Sequence, residues 1–323
     1  MIALESGGMK DCLILVNPEA YGVKSTHLLP RGYPRLEERI SKAVQELHES
    51  ADITYFTKLA DGNLLFPKNP TSYKRVGAVG GDGTLLDIIV YMLKQEKKPE
   101  IFWIPAGTGN GYAEALRLPR YLKEQIELGF NGEAKPVDIM KISGSVDAYA
   151  LNFFSPAACA RQISATNWIM QKLGPLGIAG HAAAFLWGWT FFKHTEVDSL
   201  KVDNVNLLTN RKVADLIVAK GYTPGPASVD IHIAERAPLD DGLMRVVEYH
   251  KMNRFQILAL NWQIRGKHIP KHATHNTARQ VEITCSPKIL TEADGNLLPK
   301  AEDNVPSTYR IEVVPRAYPI VRP

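Results

Sequence analysis

Short apolar runs alternate with amphipathic stretches through the first 140 residues. Residues 12–16 are apolar and stop at Asn17-Pro18, while Leu36, Ile40, Val44 and Leu47 recur at helical spacing. Residues 53–57 read as a strand. Residues 76–79 form a buried-strand pattern that runs into Gly80-Gly81-Asp82-Gly83-Thr84. Thr84 is placed to cap an apolar helix over 85–93, with Leu85, Ile88, Ile89 and Met92 on its core face. A second apolar run, 101–104, leads into Pro105-Ala106-Gly107-Thr108-Gly109-Asn110, and a helix over 112–118 stops before Pro119. Strands alternating with helices predict a mostly parallel sheet, whose ligands bind beyond the carboxyl ends of the strands. Both glycine-rich turns fall there.

The texture changes near residue 137. Residues 137–142, 148–154, 200–208, 215–219, 229–234, 243–249, 281–284 and 309–314 are short strand candidates separated by turn residues, with helical inserts near 162–193 and 253–265. The chain of 323 residues exceeds the usual size of one core. The expected architecture is therefore an α/β nucleotide-binding domain over 1–136 and an antiparallel β-rich substrate domain over 137–314. The tail 315–323 is free to pack back on the first domain, and the substrate cleft is expected between the two.

Bulk composition changes this picture little. A net charge of +4 and 45% hydrophobic residues describe an ordinary globular protein with no call for a nucleic-acid partner. Cys12, Cys159 and Cys285 are far apart and form no Cys-x-x-Cys pair, which argues against a disulfide framework or a zinc site. Residues 1–11 carry Glu5, Lys10 and Asp11 and no apolar core, so a signal peptide is not expected and the cytoplasm is. The uncharged stretch 173–192 has the length of a bilayer span, but Gly174, Pro175, Gly177, Gly180, His181 and Gly188 dilute it. A core helix is the simpler reading, and the wall of an apolar substrate cleft the second.

The chemistry concentrates in the two turns. Gly22-Val23-Lys24-Ser25 lacks the spacing of a P-loop, neither glycine turn completes a dinucleotide fingerprint, and no Gly-x-Ser-x-Gly occurs. His268, His272 and His275 are separated by Pro270 and have no carboxylate nearby. In Gly80–Thr84, by contrast, glycines on both sides of Asp82 let backbone approach a phosphate without Cβ clashes. An ionised carboxylate there serves either to accept a proton from an attacking hydroxyl or to hold a magnesium ion.

With these residues in view, the chain resembles the lipid kinase family of diacylglycerol kinases and sphingosine kinases, whose catalytic domain is related to NAD kinase and phosphofructokinase. GGDGT followed by PAGTGN carries most of the resemblance. It continues through Asn17-Pro18 at the first strand, Thr57 at the end of the second, Val137-Asp138 and Leu151-Asn152 at the start of the β domain, Asp240-Asp241-Gly242-Leu243, and Asp294-Gly295. The resemblance implies transfer of the γ-phosphate of ATP to a lipid hydroxyl, with magnesium. It places nucleotide contacts at Asn17, Thr57, Gly80, Gly81, Asp82, Gly83, Thr84, Gly107, Thr108 and Asn110. It also implies a structural magnesium held by Asp241 and nearby carbonyls, that of Leu243 among them. Diacylglycerol is the first expected acceptor and a sphingoid base the second. A soluble acceptor of the NAD kinase kind, or a nucleotide- or lipid-binding protein with impaired catalysis, are the alternatives.

The chain also departs from the family. Leu86-Asp87 stands where Asn-Glu is usual, Gly111-Tyr112-Ala113-Glu114 replaces Asp-Phe-Ala-Arg, and Asn296 replaces the glutamate of Asp-Gly-Glu, the proposed base of bacterial members. An amide accepts no proton at neutral pH. The base is then Asp82, as proposed in sphingosine kinases, or Asp294. From 249 to 281 there is no acidic residue, while Lys251, Arg254, Arg265, Lys267, Lys271 and Arg279 occur, and 255–264 adds Leu258 and Trp262. At about 1 kcal/mol per basic residue near an anionic leaflet, this suits peripheral membrane association. A solvated basic edge on a core helix is the plainer reading. A homodimer is compatible with everything above.

Overall fold

The structure, a computed structural model, describes residues 10–27, 34–156, 160–161, 164–165, 168, 194–221, 238–253, 255–256, 273–286, 289–299 and 305–323. The chain divides into two compact units, Met1–Pro136 with Tyr318–Pro323, and Val137–Ala317.

The first unit is α/β. Its strands and helices are β1 (Lys10–Val16), α1 (Tyr21–His27), α2 (Leu36–Glu46), β2 (Asp52–Tyr55), β3 (Thr57–Lys58), β4 (Leu64–Leu65), β5 (Tyr73–Gly80), α3 (Asp82–Leu93), β6 (Glu100–Pro105), α4 (Gly111–Ala115) and α5 (Leu122–Asn131). β1 lies between β2 and β5, β5 pairs with β6, and all three pairings are parallel. Leu13, Ile14, Leu15 and Val16 are all buried, the unbroken apolar run expected of a strand covered on both faces. The end of the chain adds another parallel partner, with Ile320 opposite Ile101. β3 and β4 form a separate antiparallel pair.

The second unit is an antiparallel sandwich. It contains β7 (Ala134–Gly144, beginning in the first unit), β8 (Ala148–Ala150), β9 (Phe153–Ser155), β10 (Thr195–Val202), β11 (Val205–Val213), β12 (Asp215–Ala219), β13 (Met244–Tyr249), β14 (Ala273–Ala278), β15 (Gln280–Cys285), β16 (Glu292–Ala293), β17 (Asn296–Leu297) and β18 (Ser307–Val321). One sheet here runs β11-β10-β15-β18, with β7 on β18 and β8 on β7. The other runs β14-β13-β12-β9-β16-β17. Ile142, Leu200, Ile283 and Tyr309 of the first sheet share a buried core with Phe154, Val218, Val246 and Ala293 of the second.

Local chemistry moved several boundaries. The helix expected over 85–93 begins at Asp82, because the Gly81 carbonyl already accepts from Thr84 and Leu85 N–H. The helix expected over 112–118 is the single turn α4, closed by Leu118 N–H on the Ala113 carbonyl with Arg117 at φ 58°. The strand expected over 200–208 is the middle of a hairpin. Asp203 and Asn204 take φ of 46° and 68°, the left-handed pair that a two-residue turn requires. The strand expected over 148–154 is two strands in different sheets, β8 and β9. Helices α1 and α5 have no counterpart in the sequence reading. The strand expected over 229–234, the apolar stretch 173–192, His268, His272 and most of the basic run, with Leu258 and Trp262, lie outside the described residues. Among the described residues no helix is long and apolar enough to cross a membrane.

Candidate active site

β5 and β6 are adjacent parallel strands, and their ends, Gly80 and Pro105, stand opposite each other in register. The two glycine-rich turns therefore start side by side. The Gly80 carbonyl accepts from Ala106 N–H at 2.8 Å and from the buried Trp103 indole N–H at 2.9 Å. From there the backbones converge, and a Cβ placed on Gly107 would lie 2.5 Å from Gly81 Cα. Only glycine at this position lets the turns touch.

The second turn is closed by its own last residue. Asn110 adopts the left-handed conformation, φ 57° and ψ 38°, and its side chain accepts from Gly107 N–H at 2.9 Å and donates to the Gly107 carbonyl at 2.8 Å. Asparagine tolerates that conformation better than most residues. The loop so shaped presents Thr108 and Gly109, both half-buried.

Asp82 is the first residue of α3 and half-buried, and its Oδ1 accepts the Tyr112 N–H at 2.8 Å. Burial raises its carboxyl above the ordinary aspartate value, opposed by the backbone amides of Tyr112, Gly111, Asn110 and Asp82 itself. Gly83 follows in the first turn of α3, whose leading N–H groups have no partner within the helix. Asn17 joins the same corner. Its N–H donates to the Val79 carbonyl at 3.0 Å, and its amide donates to Thr84 Oγ1 at 2.7 Å. Thr84, expected as a helix cap, is instead a buried acceptor for Asn17. Thr57 lies just past β2, exposed, opposite Leu65 in the β3-β4 pair. Asp87 forms an ion pair with Lys58 at 2.6 Å.

The remaining predicted residues belong to the second unit. Asp294, at φ 48° in the turn between β16 and β17, is buried. Its carboxylate accepts from Leu151 N–H at 2.5 Å and from Asn152 and Phe153 N–H at 2.9 Å each. That clamp holds the bend between β8 and β9. Two residues away, Glu292 is wholly buried and accepts from Gly295 N–H at 3.0 Å through one oxygen, while the other has no hydrogen-bond partner among the described residues. Burial first, then Asp294 and Asp215, push its carboxyl well above the ordinary value.

The magnesium expected at Asp241 and Leu243 does not fit the residues present, because both oxygens are already taken. Lys220 at the end of β12 is completely buried, and its ammonium donates to Asp241 Oδ1 at 2.5 Å and to the Leu243 carbonyl at 2.8 Å. A third acceptor, Asp138 Oδ2, lies at 2.6 Å. Among the described residues, no cluster of three or more His, Cys, Asp or Glu side chains is arranged to hold a metal. Cys12 and Cys285 are buried free thiols that burial raises to about 12, which removes them as nucleophiles.

Residues 11–142 match the diacylglycerol kinase catalytic domain family, and residues 179–322 match the YegS C-terminal NAD kinase beta sandwich-like domain family. The chain belongs to the diacylglycerol kinase-like and YegS-like lipid kinase family. It is 24% identical over 221 residues to the diacylglycerol kinase of Bacillus subtilis (strain 168), covering 68% of this chain and 69% of that one. It is 26% identical over 260 residues to a Shewanella frigidimarina protein named "Probable lipid kinase YegS-like", covering 77% and 76%. A crystal structure of a Bacillus anthracis str. Sterne diacylglycerol kinase shares the fold, with a TM-score of 0.62, 16% identity and 97% of each chain covered.

Asn17, Gly80, Gly81, Asp82, Gly83, Thr84, Gly107, Thr108 and Asn110 form one continuous corner of the first unit. Asp294 and the Asp241–Leu243 turn belong to the second. Sequence reasoning gave Asp138 no role beyond marking a strand, and it passed over Lys220 and Glu292. Lys220 did leave a signal, a lysine directly following the apolar run Leu216–Ala219.

Proposed function

We propose that the protein is an ATP-dependent lipid kinase that transfers the γ-phosphate of ATP to a lipid hydroxyl, with diacylglycerol the first acceptor and a sphingoid base the second. The observation that carries this reading is the Asp82 carboxylate, tied by the Tyr112 N–H across two touching glycine turns. The backbone N–H groups of the turns and the start of α3 would hold the phosphates. Magnesium accompanying ATP supplies charge neutralisation of the phosphates. Asp82 would take the proton from the attacking hydroxyl, and the raised carboxyl makes it a better base than an ordinary aspartate. Asp294 would act as a positioning residue, because its oxygens already serve three backbone amides. The bilayer would be met peripherally through the basic segment around 251–279, on the cytoplasmic side.

The test is incubation of purified protein with radiolabelled ATP and magnesium against diacylglycerol, a sphingoid base, a total lipid extract and NAD. Label is expected in diacylglycerol, and is expected to fall by about 10²–10⁴-fold in rate in Asp82→Asn. A protein that labels only NAD, or whose lipid phosphorylation survives Asp82→Asn unchanged, overturns the reading. A second reading, a nucleotide- or lipid-binding protein with impaired catalysis, is favoured by Asn296 together with the engaged Asp294. It predicts ATP binding with no label in any acceptor.

A further inference from the structure

We infer that Lys220 is a built-in replacement for a structural divalent cation, so that the β domain of this chain is held together without a metal. The oxygens a metal would need at this turn are Asp241 Oδ1 and the Leu243 carbonyl, and the ammonium of Lys220 reaches both, at 2.5 and 2.8 Å. Asp138 Oδ2 at 2.6 Å completes the set. An ammonium has three N–H donors and no acceptor, so these three oxygens satisfy it. A magnesium ion would have to approach the same oxygens to about 2.0–2.1 Å and gather near-octahedral ligands, which puts it where the lysine nitrogen already stands.

Charge points the same way. Lys220 and Arg245 face Asp138 and Asp241, with Arg245 at 3.2 Å from Asp241 Oδ2, so the cluster balances two cations against two anions. A dication added beside the buried ammonium would leave a large uncompensated charge away from water. The cluster also does the joining that a metal would do. Asp138 accepts from Gly242 N–H at 2.7 Å and from Arg316 N–H at 2.8 Å, and its own N–H donates to the Leu239 carbonyl at 2.7 Å. The start of β7, the end of β12, the turn before β13 and the later part of β18 are thereby fastened at one point. Unlike a bound ion, the lysine is covalently part of the chain and cannot be chelated.

The experiment uses the full chain without nucleotide or lipid, so it is independent of the proposed kinase reaction. Thermal melting is recorded in EDTA and in millimolar magnesium chloride, and terbium luminescence reports occupancy of a metal site. The wild-type protein is expected to melt at the same temperature in both and to give no bound-terbium signal. Lys220→Ala is expected to melt lower in EDTA, to recover part of the loss with magnesium, and to bind terbium, since its vacated oxygens form a cation site. A wild-type protein that binds terbium, or gains melting temperature with magnesium, in a way that Asp241→Asn abolishes overturns the inference. So does a Lys220→Ala protein indifferent to magnesium. Where Lys220→Ala fails to fold in EDTA, its refolding yield with and without magnesium reads the same distinction.

Discussion

The backbone N–H of Tyr112 donates to Asp82 Oδ1 at 2.8 Å, joining the first residue of α3 to the start of α4. One oxygen of the candidate base is thus fixed by a neutral donor from the neighbouring glycine turn. Burial is the largest influence on its protonation, opposed by backbone N–H donors.

That environment sets a pH dependence. Asp82 must be ionised to accept a proton, and its carboxyl lies above the ordinary aspartate value of about 3.9. The acid limb of kcat/KM is therefore expected above that value, and it should be absent from the residual activity of Asp82→Asn. The substitution is expected to lower the rate by about 10²–10⁴-fold. A raised acid contributes stability only below its unfolded pKa and loses it as pH rises, so Asp82→Asn should not lower Tm at neutral pH. Its amide oxygen still accepts from Tyr112. A variant that loses activity and Tm together would mark Asp82 as structural.

The glycine turns supply an internal control. On Gly107 a Cβ would meet Gly81 Cα at 2.5 Å and Asn110 Oδ1 at 2.8 Å, whereas on Gly109 its nearest neighbour would be Asp82 Oδ2 at 3.8 Å, an ordinary contact. Gly107→Ala is expected to cost about 1–3 kcal/mol and to abolish nucleotide binding, because backbone must move. Gly109→Ala should leave denaturant stability nearly unchanged. Equal losses from the two would remove the close approach as the reason for glycine.

Asp294 separates clamp from base. Asp294→Ala leaves the N–H groups of Leu151, Asn152 and Phe153 without their acceptor, at about 1–3 kcal/mol for each buried group left unsatisfied. Asp294→Asn keeps one oxygen and should lose less. Denaturant midpoints ordered wild type, Asn, Ala support the clamp, and unchanged midpoints with lost activity would restore Asp294 as a base.

Glu292 gives the opposite sign. Its folded carboxyl is well above 4.5, so it favours the folded state at low pH, and that contribution is lost as pH rises above the unfolded value. Glu292→Gln is therefore expected to be more stable than wild type at pH 7–8, by a margin that shrinks toward about pH 4.5. Melting curves across that range check it. A glutamine variant less stable at every pH would mean the second oxygen has a partner that the amide cannot satisfy.

Most of the first unit was legible because its signals are local. Apolar runs such as 12–16 and 101–104 are covered on both faces, and each glycine turn is a contiguous string whose residues stay together in space. The boundaries were less legible, since Gly81 rather than Thr84 caps α3 and only the turn's own hydrogen bonds decide that. In the second unit the break between β8 and β9 depends on Asp294, more than 140 residues away in sequence by the separations of its bonds to Asn152 and Phe153, 142 and 141. No local pattern records such a contact.

The sequence by itself determined an α/β unit followed by a β-rich one, and two glycine-rich turns at Gly80–Thr84 and Gly107–Asn110 at the ends of neighbouring strands. Those features rest on periodicity and on the freedom of glycine, which are properties of neighbouring residues. The roles of single charged groups were decided only by the tertiary structure. A carboxylate's chemistry follows from which donors reach it and how much water remains. Asp241 reads alike in sequence whether magnesium or Lys220 stands against it, and pairing of Ala219 at the end of β12 with Arg245 of β13 brings the lysine there.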